Sequence, residues 1–70
     1  MPLTIAPIEQ ELRIVKVLAV DKLKAHLADL GICVNEKIKI LAKASGNLIC
    51  IVKEGRIALD PEVASKILVA

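Results

Sequence analysis

The run LICIV, Leu48 to Val52, stands between two phrases of turn chemistry, ASGN at 44–47 and KEGR at 53–56. A strand that short, bracketed so tightly, must meet a returning partner at both ends. Its partners are legible. EKIKILAK, 36–43, alternates Ile38, Ile40 and Ala42 on one face with Lys37, Lys39, Leu41 and Lys43 on the other. RIAL, 56–59, is the return. Gly46 belongs to the first turn, and Gly55 stands where the second is expected to need backbone freedom. The middle run is apolar on both faces, so it is expected at the centre of the sheet, covered on both sides.

A three-stranded meander cannot hide its own edges, and the rest of the chain must do so. LRIVKVL, 12–18, is rich in β-branched residues and reads as a long strand. Asp21 occupies an N-cap position, and Leu23, Leu27 and Leu30 then follow at spacings of four and three. This is an amphipathic helix. Gly31 closes it with a left-handed residue, and Asn35, the non-glycine residue most tolerant of positive φ, marks a second tight turn. Asp60 followed by Pro61 opens a helix of one or two turns through Lys66, and ILVA ends the chain as a short strand.

Seventy residues allow one domain, 1–70, with a core of barely sufficient size. Short strands joined by hairpins in so small a chain escape open edges by curling. The expected fold is mainly β: a small SH3-like barrel of about five to six antiparallel strands with one inserted helix and a C-terminal helical turn. A mixed α+β sheet with one face under the first helix is the alternative.

The core must be aliphatic, because Phe, Tyr and Trp are all absent. Without aromatic faces the chain lacks the platforms that stack single-stranded bases or grip proline-rich peptides. Ten Lys and Arg against eight Asp and Glu, interspersed, make no strong field for phosphate or anionic lipid. Nucleic acid is not an expected partner, although Lys37, Lys39 and Lys43 form a basic stripe and an RNA-binding barrel is the reading that stripe would support. The MPLTIAP start has no signal-peptide character, so Cys33 and Cys50 are read as reduced and the chain as cytoplasmic. Five apolar residues in a row fall far short of the roughly 20 that cross a bilayer.

Catalytic equipment is scarce. There is one His, no glycine-rich phosphate loop, and no base at motif spacing from Ser45 or Ser65, so an enzyme is not expected. His26 and Cys33 are the candidates for metal ligation, but Cys33 and Cys50 form no short paired motif, and Cys50 lies in a run that reads as core. Leu30, Ile32, Cys33 and Val34 cluster at the helix exit and are the candidate surface for a protein partner. The two-sided apolar strand and the small core also make a homo-oligomer reasonable.

Taken in order, PLTIAP, LRIVKV, LADLGI, KIKI, LICIVKEGRIAL and ASKILV resemble the ferrous iron transport protein A family across Pro2 to Val69. The family's glycines near Glu9, near Ala19 and at Asn35 are all replaced here; Asn35 is the mildest change, whereas Glu9 and Ala19 imply turns of altered type or length. The resemblance implies a cytosolic SH3-like barrel that assists a membrane ferrous iron transporter bearing a cytoplasmic GTP-hydrolysing domain. Such a protein touches the membrane only through its partner. It needs no cofactor, though the pathway leaves room for weak binding of ferrous iron or zinc.

Overall fold

A computed structural model describes residues 1–70. Five strands, β1 (Glu11–Val17), β2 (Lys37–Ala44), β3 (Asn47–Val52), β4 (Gly55–Leu59) and β5 (Ile67–Val69), form one antiparallel sheet in the order β4-β3-β2-β1-β5. Helix α1 (Asp21–Asp29) joins β1 to β2, and the short α2 (Pro61–Ser65) joins β4 to β5. The expected mainly β architecture is the one observed.

The first nine residues take the place of a further strand. Val69 N–H donates to Met1 O at 2.7 Å and Pro2 bridges Leu68, so the free edge of β5 is occupied. A 3-10 turn at Leu3–Ile5 then packs against α2, and Ile8 bridges Ile40 of β2. The segment thus straps one edge of the sheet back to its middle. Glu9 sits at φ 64 and donates its N–H to Ile40 O. The altered turn expected there is therefore corrected: the left-handed geometry that suits a glycine persists with glutamate in it.

One continuous aliphatic core of 16 buried residues results, with Leu12, Ile14, Ile38, Ile40, Cys50 and Val52 from the sheet and Leu27 and Ala64 from the helices. The meander has the expected hairpins. Ser45 (φ 52) and Gly46 (φ 81) between the paired Ala44 and Asn47 make the two-residue turn of left-handed residues whose geometry matches the right-handed twist of the strands. The second turn differs from expectation. Val52 pairs with Gly55, so Gly55 is already strand, and the left-handed residue is Lys53 at φ 57.

Two further expectations on the meander are corrected. Ala42 is exposed rather than core, because Leu41 is an extra residue in a bulge between the Ile40–Cys50 and Ala42–Ile49 pairs, which reverses the facing of everything after it. β3 is covered on one face only: Leu48, Cys50 and Val52 are buried while Ile49 and Ile51 are half-exposed. Nor is Asp21 an N-cap. Val20 holds that position without any side-chain hydrogen bond, and Asp21 is the first helical residue, where its charge faces the helix dipole. Asp60 does cap α2, accepting from Val63 N–H at 2.8 Å ahead of Pro61.

Candidate functional site

The exit of α1 is built as the glycine predicts. Leu30 is the C-cap, Gly31 stands at φ 93, and two backbone bonds close the helix: Gly31 N–H to Ala28 O at 2.9 Å and Ile32 N–H to Leu27 O at 2.8 Å. That pair is a Schellman motif, and Ile32 and Leu27, the positions such a motif brings together, are both buried in the core. Val52 Cγ1 lies only 3.2 Å from where a Gly31 Cβ would stand. The helix end is thus pressed against the second hairpin.

The next residues are stitched to β1. Asn35, at φ 75, donates its N–H to Ile14 O at 2.7 Å, Ile14 N–H returns a bond to Glu36 O at 2.9 Å, and Glu36 N–H closes a turn onto Cys33 O. Arg13 also donates a side-chain bond to Asn35 O at 3.2 Å. The loop therefore has little freedom of its own.

Held this way, the candidate partner residues separate. Ile32 is 1% exposed and belongs to the core, so it is withdrawn from the expected surface. Leu30 at 39% and Val34 at 50% face solvent, as does Cys33, whose Sγ lies 3.9 Å from Gly31 O. The sequence places Ile32 and Val34 in one apolar cluster. The Schellman geometry turns the first inward and leaves the second out.

His26 lies exposed on α1, and Cys50 is buried, its thiol pushed up to about 11 by desolvation. Nowhere do three His, Cys, Asp or Glu side chains converge as a metal site requires, and neither His26 nor Cys33 belongs to such a group.

A second surface emerges that sequence reasoning saw only in part. On the uncovered face of the meander, Glu11, Lys39, Ile51 and Arg56 form one cross-strand row, and Arg13 and Lys37 begin the next. A cleft of about 280 Å³ lies there, lined by Lys37, Lys39, Lys53, Ile51, Glu11 and Glu36. The expected stripe included Lys43, but the Leu41 bulge turns that residue away and its Nζ donates to Thr4 O at 3.2 Å. Arg13, Lys53 and Arg56 stand in its stead. Register brings them together, and no local motif announces it.

The FeoA domain family model matches residues 1–70. The chain belongs to the FeoA domain family. That membership supports a role in ferrous iron transport. No curated protein matches the chain. Among solved structures, an iron uptake regulatory protein FeoA is 21% identical, with a TM-score of 0.89 over 100% of this chain and 93% of its own. An iron(II) transport protein A from Clostridium thermocellum is 24% identical with a TM-score of 0.91, covering 99% of this chain, which spans 44% of that one. The FeoA of Stenotrophomonas maltophilia, a prokaryotic SH3 domain protein solved in complex with zinc, is 25% identical with a TM-score of 0.79 over 100% of this chain and 89% of its own. The SH3-like reading of the fold is thereby supported. No helix of the chain is long and apolar enough to cross a membrane.

Proposed function

We propose that this FeoA domain is a non-enzymatic, cytoplasmic accessory protein of ferrous iron uptake that acts by contact with the GTP-hydrolysing domain of a membrane transporter. The observation that carries the reading is the α1 exit. Leu30 and Val34 are exposed apolar side chains on a backbone fixed by the Schellman closure and by the bonds to Ile14, so docking against them would order little that is not already ordered. Iron is the cargo of the partner in this reading. The domain itself needs no resident metal, and the zinc bound to the Stenotrophomonas relative supports at most a weak, exchangeable site here. Contact of this kind changes GTP turnover only through unequal affinity for the transporter's nucleotide states.

The test is co-purification with the transporter of the same cell. Val34→Asp and Leu30→Glu leave the circular dichroism spectrum and melting temperature near wild type, because both sites are exposed, and weaken capture about tenfold or more. Capture by wild type is the same with and without a chelator. A well-folded Val34→Asp, Leu30→Glu double variant captured as efficiently as wild type refutes the proposed contact.

A further inference from the structure

The uncovered face of the meander carries more charge than the chain as a whole. Arg13, Lys37, Lys39, Lys53 and Arg56 gather there with Glu11 and Glu36, while the remaining five cations of the chain are matched by six carboxylates. All of the net positive charge is therefore on one side, and the rest of the chain is slightly negative. Arg13 and Lys37 are direct cross-strand partners, an arrangement of like charges that costs stability in an antiparallel pair. The two carboxylates relieve it only partly, through Lys37–Glu11 and Lys53–Glu36 ion pairs that are both long at 3.7 Å. Lys39 and Arg56 have no ion-pair partner. Between those two, in the same row, stands Ile51, half-exposed, with Ile49 and the exposed Ala42 and Ala58 forming the next apolar row beside it.

We propose that this face, centred on Ile51 and ringed by Lys37, Lys39, Lys53 and Arg56, docks an acidic, extended segment of a protein partner carrying an aliphatic side chain. Charge complementarity selects the occupant. A second copy of the chain in a two-fold contact would set the same basic patch against itself, so self-association through this face is disfavoured. A nucleic acid fits poorly too: Glu11 and Glu36 interrupt the line of cations that a phosphate backbone would follow, and no aromatic side chain is present for a base to stack on. A protein segment meets both demands, with carboxylates for Lys39 and Arg56 and an aliphatic group for Ile51. This face borders the α1 exit, where Lys53 packs beside Gly31 and Arg13 bonds Asn35 O, but its centre at Ile51 lies on the sheet, and the inference stands whether or not the Leu30–Val34 surface binds the transporter.

The test uses isotope-labelled full-length protein and a synthetic peptide of glutamates interspersed with leucines. Amide shifts on titration are expected at Lys37, Lys39, Ile51, Lys53 and Arg56, with affinity falling severalfold between low salt and about 0.3 M salt. Lys39→Glu with Arg56→Glu reduces affinity about tenfold or more, and Val34→Asp leaves it unchanged, which keeps this result independent of the transporter reading. Both cations are exposed or half-exposed, so the double variant folds, and an unaltered spectrum outside the patch verifies it. No saturable shift, shifts clustered at Leu30 to Val34, equal affinity for the same peptide with Gln in place of Glu, or tighter binding to an oligonucleotide each overturn the proposal.

Discussion

The two cysteines mark two regions that obey different rules. Cys50 lies mid-strand in the meander, fully buried, where alternate residues point to opposite faces and one register places a whole row. Cys33 lies in the α1 exit, exposed, two residues from the left-handed Gly31. There no period applies, and Ile32 is core while Val34 is surface only because two specific backbone bonds set the direction of the chain. In the meander an error of one residue moves every side chain. At the helix exit each residue is placed separately. The first kind of region makes a stable wall, and the second can present a chosen side chain.

The sharpest way to break the comparison is through pH. Burial raises the Cys50 thiol from an ordinary 9.0 to about 11 in the folded protein. Between those values the unfolded chain loses a proton that the native chain keeps, so stability is full below pH 9 and falls as pH rises through 11. Two pH units of difference correspond to about 2–3 kcal/mol at the alkaline limit. The informative quantity is the difference from Cys50→Ala, measured by urea unfolding at successive pH values. Wild type is expected to show the steeper alkaline loss. Identical slopes for wild type and Cys50→Ala would mean that Cys50 is not sealed in the core.

A smaller effect probes the helix exit. Gly31→Ala places a Cβ at φ 93, where L-residues are rare, and 3.2 Å from Val52 Cγ1. The expected loss is about 1–3 kcal/mol in thermal or urea unfolding. Gly46→Ala, at φ 81 but with open space around it, should cost less, since strain alone remains. Equal losses at the two glycines would show that the helix end does not press on the second hairpin.

Much of this fold was legible because local chemistry and burial agree over most of the chain. The alternation of EKIKI, the ASGN turn, Gly31, Asn35 and the Asp60–Pro61 start all appear where the side chains call for them. The failures share a cause. Leu41 forms a bulge that no residue type signals, and it alone exposes Ala42 and removes Lys43 from the basic row. LICIV looks two-sided because nothing in an isoleucine tells whether a second layer exists over it. At the candidate surfaces the loss is greater still: Ile32 and Val34 are chemically alike, and Arg13, Lys53 and Arg56 meet Lys39 only through pairings across three strands.

The two helix starts provide the finest comparison, since each carries an aspartate that reads as a cap. Asp60 has extended φ and ψ, and its Oδ1 accepts from Val63 N–H at 2.8 Å, so it satisfies a donor that α2 leaves open. Asp21 is one residue too late, already helical behind Val20, and its carboxylate contributes only through the helix dipole. Asp60→Ala is therefore expected to cost about 1 kcal/mol in urea unfolding, whereas Asp21→Ala should cost a few tenths, about 0.3 kcal/mol, and lose even that at high salt. The difference is decided by phase along the chain, not by residue type. Losses of equal size, insensitive to salt, would show that α1 begins one residue later in solution, with Asp21 taking up the cap that Val20 cannot provide.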